Sequence, residues 1–93
     1  MKRIIIYTKE EGIFLGECLG FGFWSKLDPV GQDSAVTFPD IETAKSYVKS
    51  WKNQLSGIQF KEIKITDTNQ HTGEFYASIK DCINAGLPGW NPV

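Results

Sequence analysis

The stretch Asp40-Ile41-Glu42-Thr43-Ala44-Lys45-Ser46-Tyr47-Val48-Lys49-Ser50-Trp51-Lys52-Asn53-Gln54-Leu55 decides how the chain folds. Advancing about 100° per residue, Ile41, Ala44, Tyr47, Val48, Trp51 and Leu55 fall within an arc of about 120°, while Lys45, Ser46, Lys49, Lys52 and Asn53 lie outside it. A single apolar stripe of this width predicts an amphipathic helix over 40–55 that packs on a sheet. Asp40, following Pro39, is the expected N-cap, and Glu42 sits in the first turn, where the helix dipole favours an anion. Gly57 is the expected stop.

Working outward, residues 3–8 are rich in β-branched and aromatic side chains and run into the charged turn Lys9-Glu10-Glu11-Gly12, after which Ile13-Phe14-Leu15 resumes the apolar pattern. That is a hairpin. Gly16, Gly20 and Gly22 interrupt the second strand, which is expected to carry a bulge or loop and to resume at Phe21 to Ser25. Asp28-Pro29 and Gly31 mark a loop over 27–34, and Ala35-Val36-Thr37-Phe38 reads as a third strand completing a meander. After the helix, residues 58–66 read as a fourth strand in which Phe60 and Ile63 break strict alternation, so a bulge near Lys61-Glu62 is expected. Thr72 then caps a second helix from Gly73 to Ala85, with Phe75, Ile79, Cys82 and Ile83 on one side and Gly86 at its end. The expected fold is α+β: a small antiparallel β-meander with one long amphipathic helix, a fourth strand and a C-terminal helix, βββαβα.

The 93 residues leave room for one domain, 1–93, since halving the chain would put each part below the size that buries a stable core. Six Phe, three Tyr and three Trp supply that core with large apolar surfaces. A net charge of -1 and a pI near 5.7 provide no global field toward nucleic acid or anionic membranes. Ile4-Ile5-Ile6-Tyr7 is too short for a membrane span or a secretory h-region, and Cys18 and Cys82 match neither a metal spacing nor a disulfide framework. A cytoplasmic protein without cofactor or metal is expected.

Each chemical motif has a structural competitor. Gly20-Phe21-Gly22-Phe23 matches the centre of an RNA-binding strand motif whose aromatics stack bases, but no Lys or Arg precedes Gly20, and the connection from the first strand is too short for the helix that fold requires. A bulged strand with aromatics packed under the helix explains the residues better. Gly16, Gly20 and Gly22 lack the spacing of a phosphate-binding loop. His71, the sole histidine, lies in the polar run Thr68-Asn69-Gln70-His71-Thr72, as a solvated loop residue would. Asp28 and Asp33 could form an acid/base pair across one loop, although turn chemistry accounts for both. Lys45, Lys49 and Lys52 share a helix flank, which serves either as an ordinary solvated face or as a contact for an acidic partner. Phe21, Phe23, Trp24, Trp51 and Trp90 exceed what one thin core layer hides, and Trp90 sits in a tail, Leu87-Pro88-Gly89-Trp90-Asn91-Pro92-Val93, too proline-rich for regular structure.

The Ile6-Tyr7-Thr8 strand end, Gly12-Ile13-Phe14-Leu15-Gly16, Phe23-Trp24-Ser25-Lys26, Ala35-Val36-Thr37-Phe38 and Ala44 resemble small phage- and prophage-encoded proteins of unassigned function. The resemblance covers residues 3–52 and implies a mobile-element origin; it transfers no functional residues. By analogy of class, it implies an inhibitor of a host defence complex, similar to anti-CRISPR proteins. The expected function is therefore a non-enzymatic protein-binding module directed at a larger protein or nucleoprotein complex, with Phe21, Phe23, Trp24, Lys45, Lys49, Lys52 and Trp90 as contact residues. No membrane partner is expected, and the same aromatics would also serve a homodimer. The alternatives are a single-stranded nucleic-acid-binding domain using Phe21, Phe23 and the lysine flank, and a small enzyme or ligand binder using Asp28, Asp33 or His71.

Overall fold

Ile4, Ile5 and Ile6 are all buried, and a strand can bury three consecutive side chains only when both of its faces are covered. In the computed structural model, which describes residues 1–18, 21–27, 34–51, 56–65 and 75–87, with the backbone alone at Cys18, Phe21, Leu27 and Ile79, both faces are. The strands are β1 (Lys2–Thr8), β2 (Gly12–Cys18), β3 (Phe21–Trp24), β4 (Ser34–Val36), β5 (Gln59–Lys64) and β6 (Tyr76–Ser78). Helix α1 (Ile41–Lys49) lies between β4 and β5, and α2 (Ile79–Asn84) follows β6. The fold is α+β, with an antiparallel sheet ordered β3-β2-β1-β5 and a separate antiparallel pair, β4-β6.

The pleat divides the core into two. On one face Ile5, Ile13, Leu15, Ile63 and Ile65 pack with Ala35, Ala77, Cys82 and Leu87 from β4, β6 and the α2 end. On the other Ile4, Ile6, Phe14 and Trp24 pack with Phe38 and with Ala44 and Val48 of α1. Burying each large apolar side chain contributes about 1.5–3 kcal/mol, so the isoleucine triplet alone outweighs any single cap or surface ion pair in the molecule.

Two-sided burial also removes a bulge expected in the sequence. β5 pairs with β1 without interruption from Lys2↔Lys64 to Tyr7↔Gln59. Phe60 joins the α1 side and Ile63 the opposite side, so the irregular apolar spacing needs no repair near Lys61-Glu62. The register shift lies instead in β2, between Phe14 and Gly16, where it was expected.

The third strand departs from the meander. β1 and β2 pair only at Tyr7↔Ile13 and Thr8↔Gly12. Farther along β1, the Ile4 amide donates to the Phe38 carbonyl at 2.8 Å and the Phe38 amide donates back to the Ile4 carbonyl at 2.9 Å. The Phe38 backbone thus pairs with β1 beyond its short ladder with β2, and Ser34–Val36 pairs with β6 instead of extending the sheet beside β3. Arg3 secures this crossing. Its guanidinium donates to the Thr37 hydroxyl and carbonyl at 3.0 and 3.2 Å and lies 4.9 Å from the centre of the Phe75 ring, while the Thr37 hydroxyl donates to the Phe75 carbonyl at 2.7 Å.

Both helices are shorter than their sequence patterns. The Asp40 carboxylate accepts the Thr43 amide at 2.7 Å, confirming the cap, but α1 ends at Lys49 with Ser50 as C-cap, and residues 52–55 lie outside the description. Ile41, counted in the apolar stripe, is 41% exposed in the first turn. The C-terminal helix begins at Ile79, not Gly73, because Tyr76-Ala77-Ser78 is drawn into pairing with Ser34-Ala35-Val36. Ser78 replaces Thr72 as its cap, in a reciprocal box with Asp81. Gly86, at φ +77°, ends it in a Schellman arrangement: its amide donates to the Ile83 carbonyl, and the amide of buried Leu87 donates to the Cys82 carbonyl. Ile83, placed on the apolar side of the longer helix, is 56% exposed.

The β1–β2 turn depends on a contact from beyond β3. Gly12 has φ +87°, and a Cβ there would lie 2.3 Å from the Ser25 hydroxyl oxygen, which is buried and accepts the Ile13 amide at 2.8 Å. Ser25→Ala leaves that amide without its acceptor, and a loss of about 1–3 kcal/mol is expected in urea unfolding. Gly12→Ala is expected to cost more, since it adds backbone strain to the clash. The double variant should be less destabilised than the sum of the two, because Ser25→Ala removes the atom the new methyl strikes; strict additivity would show that the two do not touch.

Asp40 sets an acid dependence. Its carboxyl is held below the usual carboxylate range, chiefly by the Thr43 amide and with help from Arg3. A depressed pKa gives stability that is present above about pH 4 and lost as pH falls through the lower folded value. Asp40→Asn keeps an N-cap but removes the titration, so its stability should fall less steeply below about pH 4 than the wild type's in parallel melts; identical slopes would exclude the assignment.

Candidate interaction surface

The described residues expected to meet a partner come from two elements, β3 and α1, and the fold separates them. Trp24 belongs to the α1-side core: its ring lies 5.2 Å from Phe14 and 6.0 Å from Trp51, both edge-on. Trp51 is half-buried in the same aromatic group, with Tyr47 and Phe38 completing it. Offset and edge-on pairs of this kind add about 0.5–1.5 kcal/mol each beyond area burial, so these rings are stabilising the α1–sheet contact. They are not free anchors.

Phe23 is the exception. β-strand alternation sends it to the face opposite Trp24, it sits across from Gly16, which has no side chain to cover it, and it remains 39% exposed. Gly22, just before Phe23, leaves room for the core rings on the other face: a Cβ there would come 3.2 Å from Phe14 and 3.4 Å from the Trp24 indole nitrogen. β3 is also an end strand of the sheet, and among the described residues nothing pairs with its outer edge. The four-residue strand Phe21-Gly22-Phe23-Trp24 contains no charge and no proline.

Lys45 and Lys49 are exposed on α1, and no ion pair involving them is present among the described residues. By helix geometry they lie about 160° around the axis from Tyr47. Tyr47 is the side chain that reaches β2, donating its hydroxyl to Glu17 at 2.8 Å. The lysine flank thus turns away from the β2–β3 end, and Phe23 and the lysines do not form one surface. Phe21 contributes its backbone to β3; Lys52, Trp90, Asp28, Asp33 and His71 lie outside the described residues.

The buried polar side chains among the described residues hold main-chain groups in place. The Asp81 carboxylate, buried, accepts the Ser78 amide. Burial, with the neighbouring Asp81 charge, pushes the Cys82 thiol up to about 12. At neutral pH the thiol is protonated and is neither a nucleophile nor a metal ligand. No group of three His, Cys, Asp or Glu suited to a metal ion occurs among the described residues, and no described helix is long and apolar enough to cross a membrane.

The edge of β3 was missed as a candidate surface in the sequence, where only its aromatics stood out; that a strand is an end strand depends on pairings made by residues far from it. Comparisons with protein-family models, with curated proteins and with solved structures find no match to this chain.

The buried, protonated state of Cys82 has a direct test. In a Cys18→Ser background, labelling by a thiol reagent at pH 8 should proceed only through opening of the α2 region and slow as stability rises. Immediate stoichiometric labelling of the folded protein would refute the burial.

Proposed function

We propose that the chain is a non-enzymatic protein-binding module and that its contact centres on the β3 edge. The observation that carries this reading is the combination at Phe23: a large aromatic, 39% exposed, on an uncharged end strand whose outer edge no described residue pairs. Aromatic side chains next to open main-chain groups give a partner both an anchor and a hydrogen-bonding template. The likeness of residues 3–52 to phage- and prophage-encoded proteins supports a narrower version, an inhibitor that occupies a surface of a host defence complex, as anti-CRISPR proteins do. In that version the chain acts inside the cell.

The separation of Phe23 from Lys45 and Lys49 weighs against the nucleic-acid reading, which needs stacking aromatics and phosphate-binding cations along one strand path. The enzymatic reading rests on Asp28, Asp33 and His71, all of which lie outside the described residues.

Affinity capture from nuclease-treated host lysate separates the readings. The expected result is one saturable protein partner whose retention falls at least tenfold, about 1.4 kcal/mol, with Phe23→Ala and is unchanged by Lys45→Ala/Lys49→Ala. Capture that disappears on nuclease treatment, with a salt-sensitive gel shift on single strands, would replace this proposal with the nucleic-acid one. No capture together with turnover of a small substrate would end it.

A further inference from the structure

We infer that in the absence of its partner the β3 edge pairs antiparallel with β3 of a second copy of the chain. The two ends of the sheet are built differently. The outer strand β5 carries Lys61, Glu62 and Lys64, so strand addition there must bring charges between two sheets, a common protection against edge pairing. At the other end β3 has no such protection: Phe21, Gly22, Phe23 and Trp24 bear no charge, and Trp24 is folded back into its own core, leaving no bulky ring on the α1 side of the edge.

The edge is complementary to itself. With a two-fold axis normal to the sheet at Phe23, Phe23 of one copy lies opposite Phe23 of the other, and Gly22 lies opposite Trp24. Residues opposite one another then share a face, as antiparallel pairing requires, and no charged side chain of β3 meets a like charge. The pairing covers the exposed Phe23 rings and supplies acceptors and donors to the outer main-chain groups. Four residues a side fall well short of the roughly 1,000 Å² of a stable interface, so association is expected at about 10 μM to 1 mM. A partner that binds the edge more tightly displaces the second copy.

Sedimentation velocity on the full chain from about 5 μM to 1 mM tests this, read with amide exchange at both limits. The expected result is a mass rising toward two copies, with the outward-facing amides of β3, those not bonded to β2, becoming protected as concentration increases. Phe23→Lys places two like charges across the axis and should weaken association at least tenfold, about 1.4 kcal/mol, while Lys61→Arg, which keeps the charge on the other edge, leaves it unchanged. A mass of one copy throughout overturns the proposal, as does association indifferent to Phe23→Lys in a protein that still melts cooperatively. Equal protection of the outward-facing β3 amides at all concentrations also overturns it, since the edge would then be covered within one chain; this test needs only the wild type. Because no partner is present, a negative result here leaves lysate capture as a separate question.

Discussion

The two hydrogen bonds between Ile4 and Phe38 are the constraint from which the rest of the arrangement follows. They bring the backbone of Phe38 onto β1 beyond the short ladder with β2, and so fix where the chain passes between the two faces of the sheet. Ala35, just before, packs on the β6–α2 side; Phe38, just after, packs on the α1 side. Asp40 then caps a helix that begins at once over Ile4 and Ile6. Without this crossing, Ile4 to Ile6 could be covered on one face only, and one of the two cores would face water. The cost would be several side chains' burial, far more than the two hydrogen bonds contribute themselves.

Arg3 shows how the crossing is held. Partial burial lowers the pKa of its guanidinium, a desolvation cost that the Asp40 charge opposes. The guanidinium remains charged at any ordinary pH and spends its donors on Thr37 while its plane meets Phe75. One side chain thus ties β1 to the segments preceding both α1 and β6. These segments are 38 residues apart in sequence by the Thr37–Phe75 bond, so the tie closes a long loop.

What the residues reveal in advance follows the range of the forces involved. Asp40 and Gly86 were legible as cap and stop, as were the Lys9–Gly12 hairpin and the class of the fold. The stop expected at Gly57 and the cap expected at Thr72 were not met, since α1 ends at Lys49 and α2 is capped by Ser78. Nor was the length of each element legible. The apolar stripe continues to Leu55, yet α1 ends at Lys49, and Phe75 to Ser78 fit a helical period but lie in or beside a strand. In both cases tertiary pairing overrides a weak local preference. The bulge expected near Lys61-Glu62 failed for a related reason: alternation diagnoses register only when one face is wet, and β5 has apolar contacts on both. For the surface, the sequence singled out aromatics as a class, whereas only the fold distinguishes Trp24, sunk against Phe14, from its neighbour Phe23, half in solvent.

The buried polar groups explain why the surface carries the weight of any functional reading. Thr8 accepts the Glu11 amide, Ser25 the Ile13 amide, and Asp81 the Ser78 amide, while Thr37 donates to Phe75 and accepts from Arg3. The Thr8, Ser25 and Asp81 bonds each satisfy a main-chain amide at a turn or a helix end, where an apolar substitute would leave it bare, while Thr37 links the Arg3 guanidinium to the Phe75 carbonyl at the strand crossing. A reactive site draws on buried polar groups whose hydrogen-bonding capacity is aimed at a ligand instead of at the backbone. Here that capacity is directed at holding irregular backbone in a fold with two thin cores. The chemistry offered outward by the described residues is accordingly that of edges and rims: a bare strand end with one exposed ring, and, turned away from it, a helix flank with two cations.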